Sequence, residues 1–231
     1  RCSHLRLYFS RRICYKFLIT VPTSVYQQDK LELTEQSGGI KNMNWEWNKL
    51  CKYSKTIILK NGVECCLRNG IESDGQAVWD CFNLTHGQTD YLLSYPDENS
   101  FDVMQESQFL KEKSESSNEI EIVAVVGNVV VGTAGIEAIG TKYKVRHRAE
   151  FGISVAKDFW GLGIGQALMA ACIECARAAG YIQLELNVVA ENERALSMYE
   201  KAGFVKYGRN PKGFNSRVTG FQEVIYMRLE L

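Results

Sequence analysis

Residues 159-FWGLGIGQALMAACIECARAAGY-181 set glycines at alternate positions, Gly161, Gly163 and Gly165, at the start of an apolar run with helical spacing. Glycine inside a helix costs roughly 0.5–1 kcal/mol relative to alanine, so three at a helix start must serve something other than helix formation. Ile164, Leu168, Ala171, Cys172 and Cys175 recur on one face, which predicts a buried amphipathic helix from about residue 162 to 179. A helix N-terminus offers unpaired N–H groups and the positive end of the macrodipole, and glycines let its backbone approach an anion. The triplet therefore points to a phosphate-bearing ligand, with close packing of helix on sheet as the alternative.

Two familiar phosphate loops fail on spacing. A Walker A loop ends in Gly-Lys-Ser/Thr, whereas Gln166 and Ala167 follow Gly165. A dinucleotide fingerprint needs a third glycine three residues after the second, and those positions hold Gln166 or Leu168. Bulk charge narrows the partners further. Lys plus Arg and Asp plus Glu both number 27 in 231 residues, so no net charge draws the chain to nucleic acid or to an anionic membrane. A content of 45% apolar and 11% aromatic residues suffices for a packed core.

The eight cysteines fit neither a disulfide framework nor paired zinc knuckles. Cys172 and Cys175 form a CxxC, but inside the apolar stripe of the helix and without a second pair at finger spacing. They read as core thiols, no metal is implied, and a reducing, cytoplasmic setting suits them. No apolar run reaches the length of a membrane span, and 11-RRICYKFLITVP-22 is interrupted by Lys16 and lacks a small-residue cleavage site, so secretion is rejected.

Residues 1–42 differ in composition from the rest of the chain, with seven Lys or Arg against Asp29, Glu32 and Glu35. Gly38-Gly39, three codons before Met43, is what ribosome-binding DNA of a bacterial gene reads as when translated in frame. The expectation is that residues 1–42 are a non-native or disordered extension, with a native N-terminal arm as the alternative, that 43–54 form a lead-in, and that one domain spans 55–231.

From residue 55 the pattern is regular. A strand and turn region occupies 56–70, punctuated by Asn61-Gly62 and Asn69-Gly70. Helices come next at 73–90, with Val78, Cys81, Phe82 and Thr85 on one face, and at 101–117, with Val103, Phe109 and Leu110 on its apolar side. Short β-branched runs at 119–128, 129–139 and 148–156, joined by tight turns, predict an antiparallel meander. After the glycine-led helix come a strand at 182–189, a helix at 192–203 closed by Gly203, and strands near 204–208 and 221–231 flanking a loop at 209–220. The sum is one mixed α/β domain.

Two stretches together resemble the GNAT superfamily of N-acetyltransferases. Residues 150-EFGISVAKDFWGLGIGQALM-169 are similar to its acetyl-CoA motif, Gln/Arg-x-x-Gly-x-Gly/Ala, with Trp160 at the Gln/Arg position and Gly163 and Gly165 at the glycines. Residues 192-NERALSMYEKAGF-204 match its Asn-x-x-Ala-x-x-x-Tyr-x-x-x-Gly-Phe helix at every fixed position. The resemblance covers about residues 55–231. It implies the acyl-CoA N-acyltransferase fold, a single mixed and mostly antiparallel sheet flanked by helices, with acetyl-CoA as co-substrate.

It also implies roles. The strand before the glycine loop splays from its neighbour, so Ile153, Ser154 and Val155 run along the pantetheine arm. The N–H of Val155 or a neighbour then lies near the acetyl carbonyl, a donor contact worth about 3 kcal/mol. Trp160, Gly161, Leu162, Gly163, Ile164, Gly165 and Gln166 form the pyrophosphate cradle. Tyr199 protonates the departing thiolate, for which a phenol of pKa near 10 is suited. Asn192 is a favoured N-cap and, by resemblance, touches the pantetheine arm.

An amine acceptor must lose a proton before attack, which calls for a base. Glu185 and Asn187 share a strand face. Glu150 begins the strand that leads to the glycine loop, where an acidic residue is the base in some relatives. The resemblance therefore implies Glu150 as the base, with an exposed strand glutamate as the alternative; some ribosomal-protein N-terminal acetyltransferases instead carry a glutamate where Asn187 stands. His4, His86 and His147 are scattered, and no Cys-His pair suggests an acetyl-enzyme. Direct attack in a ternary complex is the simpler chemistry.

Asp90, Asp97, Glu98, Asp102 and Glu106, beside Arg209, Lys212 and Arg217, fall on the acceptor side and hint at a small cationic amine. A peptide N-terminus as acceptor and a non-catalytic acetyl-CoA sensor remain open alternatives. Oligomeric state is not readable, and the resemblance, in which dimers are common, leaves a homodimer open.

Overall fold

A computed structural model describes residues 52–231; the expectations for residues 1–42, and for 43–51 of the lead-in, lie outside the described residues. The elements are β1 (Ser54–Ile58), β2 (Glu64–Asn69), α1 (Gly75–Gln88), α2 (Val103–Glu115), β3 (Ile120–Val126), β4 (Val129–Ala138) and β5 (Arg148–Val155). They continue with α3 (Ile164–Ala178), β6 (Gln183–Val189), α4 (Glu193–Lys201), β7 (Val205–Ser216) and β8 (Gly220–Glu230). All eight strands join one sheet in the order β1-β2-β3-β4-β5-β6-β8-β7. Every neighbouring pair is antiparallel except β5 and β6.

Strand periodicity gives the sheet two apolar faces. One packs on α3, whose Ile164, Leu168, Ala171, Cys172 and Cys175 are each at most 1% exposed. Its core also takes Ile122, Ile136, Phe151, Leu184, Leu186 and Met227. The opposite face receives α1 and α2, with Val78, Cys81 and Leu110 against Val123 and Val130. Capping fixes where α2 begins: the Asp102 carboxylate accepts from the N–H of Gln105 at 2.8 Å, and the Gln105 side chain accepts from the N–H of Asp102 at 2.9 Å.

The 56–70 region is a hairpin, β1 paired to β2 around a turn in which Gly62 takes φ +83°. The sheet therefore holds one strand more than the sequence pattern suggested. The segment 209–220 is also not a loop. It is the outer half of the β7–β8 hairpin, paired from Val205 with Arg228 to Ser216 with Gly220. Asn210, Pro211 and Gly213 signal a break, but β7 is an edge strand, so the missing N–H of Pro211 leaves no central ladder incomplete. Register shifts between Lys206 and Gly208 and between Asn210 and Phe214 absorb the irregularity.

Candidate active site

β5 pairs with β6 only at Arg148–Gln183, Ala149–Leu184 and Glu150–Glu185, and beyond Glu150 the strands part. β5 continues on β4 as far as Val155, while β6 continues on β8. The fork therefore exposes the β5 edge over Phe151–Val155. Beside it, Thr133 Oγ1 on β4 and Ser154 Oγ on β5, directly opposed across the ladder, are buried without a hydrogen-bond partner. Leaving a buried polar group unsatisfied costs about 1–3 kcal/mol, so an orphan hydroxyl at an open strand edge suits an amide-bearing ligand laid along it.

After β5 a single 3-10 turn leads into the glycine loop. The Trp160 indole N–H donates to the carbonyl of Val155 at 2.7 Å, which pins the loop back on the strand. Gly161 and Gly163 adopt φ of +83° and +103°, conformations that L side chains disfavour. Gly165 serves differently, since a Cβ there would lie 3.3 Å from Met198 Sδ on α4. Among the described residues no backbone N–H from Gly161 to Gln166 has a backbone acceptor. Such a row of donors at the start of a 15-residue helix is an anion cradle. Gly163→Ala should strain the left-handed turn, lowering stability by about 1 kcal/mol and weakening occupancy of the cradle; a thermal melt and a titration of acetyl-CoA check both.

A cavity of about 660 Å³ joins fork and cradle. Ile153, Ser154, Val155 and Asn192 line one part, and Trp160, Gly161, Gly163, Gly165 and Gln166 another, with Tyr199 also in the wall. Leu162 and Ile164 are not in the lining: Leu162 packs against the core, and Ile164 is buried in it. Helical periodicity could have separated Ile164 from its neighbours, because it begins the buried stripe of α3. Asn192 caps α4, its Oδ1 accepting from the N–H of Ala195 at 3.2 Å.

Tyr199 is buried against Phe151 and Phe204, with ring centroids 6.3 and 5.8 Å away. Its hydroxyl has no hydrogen-bond partner among the described residues. Burial pushes its pKa above the ordinary phenol value, so it is held protonated at neutral pH.

Glu150 lies outside the cavity lining, at the base of the fork, on the sheet face opposite Phe151 and Tyr199. Three carboxylates meet there and the structure treats them differently. Glu185 is clamped by Arg148 through two hydrogen bonds, one from Nη2 at 2.7 Å and one from Nε. Glu137, cross-strand from Glu150, is bound by Lys113 Nζ at 3.1 Å. Glu150 has no ion pair among the described residues and accepts only from Asn187 Nδ2, at 3.2 Å. Burial, then the charges of Glu185 and Glu137, push its pKa up to about 7 against the opposing pull of Arg148. A carboxylate titrating near neutrality can accept a proton and release it again.

The acidic residues of the α1–α2 connection have other duties. The Asp90 carboxylate accepts from Tyr95 and from Ser216, Thr219 and Gln222 of the β7–β8 hairpin, at 2.6–3.0 Å. Burial alone would raise its pKa, but these hydrogen bonds outweigh it and hold the carboxyl low. Arg217 is paired with Asp97 at 2.8 Å and Glu98 at 3.0 Å, Asp102 caps α2, and Glu106 is buried. Arg209 is spent on Glu223, and Lys212 lies over the Phe221 ring. Of the group singled out as attracting a cation, Asp90, Asp97 and Glu98 thus fasten the hairpin tip to the 89–98 connection. Replacing Asp90 by Ala should cost about 1–3 kcal/mol and raise the KM for acceptor, with acetyl-CoA affinity unchanged in a parallel titration.

The sequence model of the Acetyltransferase (GNAT) family matches residues 82–204, more than half of the chain. The chain belongs to the GNAT family. A GNAT acetyltransferase from Streptococcus pneumoniae superposes with a TM-score of 0.69 at 26% identity, over 72% of this chain and 99% of that one. A putative acetyltransferase from Salmonella typhimurium, solved with its cofactor acetyl-CoA, shares the fold with a TM-score of 0.63 at 19% identity, over 71% and 92% of the two chains. Among curated proteins, N-alpha-acetyltransferase 30 of Schizosaccharomyces pombe is 27% identical over 74 residues, 32% of this chain. The match spans about half the length of that relative.

The features of this GNAT chain fit acetyl-CoA: a donor row for the pyrophosphate, and an open strand edge with an orphan hydroxyl for the pantetheine amides. Sequence reasoning missed Lys60, Thr85, Thr89, Tyr91 and Arg194, which also line the cavity. Lys60, Thr85, Thr89 and Tyr91 come from elements distant in sequence and carry no motif, while Arg194 stands at an unfixed position of the 192–204 motif. Among the described residues no helix is long and apolar enough to cross a membrane, and no group of three or more His, Cys, Asp or Glu is gathered as for a metal.

Proposed function

We propose that the chain is an N-acetyltransferase that moves the acetyl group of acetyl-CoA to a primary amine by direct attack in a ternary complex. The observation that carries this is the forked β5–β6 pair, which opens beside the donor row and Tyr199 on one side and beside Glu150 on the other. Ile153, Ser154 and Val155 hold the pantetheine arm, and residues 160–166 the pyrophosphate. Glu150 takes a proton from the acceptor ammonium, directly or through water. The amine nitrogen then bonds to the acyl carbon as the carbon–sulfur bond breaks, Tyr199 gives its phenolic proton to the sulfur, and the second proton shed by the nitrogen as the amide forms returns to the tyrosinate through water. When bound, acetyl-CoA supplies the activated acyl group.

A small cationic amine is the acceptor that the site favours. The hairpin, tied down at Asp90 and Arg217, narrows the acceptor side, and Glu150 offers a carboxylate with no ion pair of its own among the described residues. The similarity to N-alpha-acetyltransferase 30 favours a second reading, a peptide N-terminus. The cysteine content suits a reducing, cytoplasmic compartment.

Calorimetric titration of acetyl-CoA, paired with thiol-release assays on an amine panel and a peptide mixture, tests the reading. Binding with thiol release on one amine class is expected. Release only with peptides selects the second reading, and a folded sample that does not bind acetyl-CoA overturns both.

A further inference from the structure

The glycine loop presents donors but little charge. Between Val155 and Gln166 its ionisable side chains are Lys157 and Asp158, which offset each other, and Trp160 spends its indole N–H on the loop itself. A cation is nevertheless brought to the same place from another element. Arg194, in the first turn of α4, lays its guanidinium over the Trp160 ring, 5.4 Å from the centroid. One of its Nη atoms lies 3.3 Å from where a Cβ on Gly161 would stand, so the guanidinium rests against the backbone that opens the donor row.

Lys60 joins it from the β1–β2 turn, whose main chain is fastened to the loop by the N–H of Lys60 donating to the carbonyl of Leu162 at 3.2 Å. Neither Arg194 nor Lys60 enters an ion pair among the described residues, although Glu191 and Glu193 line the same cavity. By contrast Arg148, Arg209 and Arg217 are each bound to a carboxylate. An arginine held over an indole keeps N–H groups for a planar or tetrahedral anion. This geometry suits a diphosphate bound partly by backbone and partly by a guanidinium fork.

We propose that Arg194, lying over Trp160 in the cavity that Lys60 also lines, binds the pyrophosphate of the acyl donor, so that α4 supplies the positive charge the glycine loop lacks. The inference rests on acetyl-CoA being the occupant of the cavity. It makes Arg194 a binding residue and Trp160 its positioning platform.

Calorimetry on the full chain separates the two ideas. Wild-type protein should bind acetyl-CoA, whereas Arg194→Gln should raise Kd roughly 10- to 100-fold with an unchanged melting temperature. Arg194→Lys should recover part of the loss, and Trp160→Leu should weaken binding less than Arg194→Gln. Acetyl-dephospho-CoA keeps the pyrophosphate but lacks the 3′-phosphate, so the ratio of Kd between Arg194→Gln and wild type should be the same for both ligands. A loss confined to acetyl-CoA would assign Arg194 to the 3′-phosphate and overturn the proposal. Binding by Arg194→Gln within about twofold of wild type would overturn it as well, while leaving the acetyl-CoA reading intact. If wild-type protein binds neither ligand, that reading itself fails, and the proposal with it.

Discussion

Tyr199→Phe is expected to lower kcat by about 10²- to 10⁴-fold, with the Kd for acetyl-CoA changed little. The substitution removes one oxygen from a ring that Phe151 and Phe204 already hold, so packing survives. That oxygen has no hydrogen-bond partner among the described residues, and burial keeps it protonated, so on the proposed mechanism its proton goes to the departing sulfur. A thiolate released into an apolar wall without a donor is a poor leaving group, and the loss falls on turnover. Single-turnover thiol release, beside a titration of acetyl-CoA, checks the separation. Unchanged turnover would make Tyr199 a core aromatic and move the thiolate acid elsewhere.

Glu150→Gln should reduce kcat by about 10²-fold or more and reshape its pH dependence. The base acts as the carboxylate, so wild-type kcat/KM should fall with acid below a pKa of about 7, and the variant should lack that limb. What remains in the variant is the titration of the acceptor amine itself. A pH profile that breaks at the same place in both proteins would move the base elsewhere.

The same group bears on stability, with a definite sign. The folded pKa of Glu150 lies above its ordinary value of 4.5, so its contribution is fully present below about 4.5 and is lost as pH rises through about 7. At pH 8 the Gln variant should therefore melt above wild type, and the difference should vanish near pH 5.

The cofactor side was legible because it is local. The donor row, the left-handed glycines and the cap at Asn192 all lie within short stretches whose spacing alone states their geometry. The apolar stripe of α3 and the meander β3–β4–β5 were equally readable, since period 3.6 and period 2 are properties of neighbours in sequence. The outer part of β7, from residue 209 on, was missed, because Asn210, Pro211 and Gly213 look like a break until the partner strand β8 absorbs them as irregular register.

The acceptor side was readable only in part, for a different reason. Glu150, Glu185 and Glu137 are chemically alike, and nothing in their local sequence says which will be neutralised. Packing decides it: Arg148 takes Glu185, Lys113 takes Glu137, and Glu150 is left beside the amide of Asn187. The acidic run around Asp90 and Asp97 looked like a cation site but is consumed by Ser216, Thr219, Gln222 and Arg217, more than a hundred residues away. The sequence by itself determined the family and the left-handed glycine loop, and it pointed to the proposed thiolate acid, because those rest on short-range motifs. Only the tertiary structure decided which carboxylate is left without an ion pair among the described residues and that Arg194 lies against the glycine loop. Charge pairing and stacking depend on which distant elements the sheet brings together, and no local pattern encodes that.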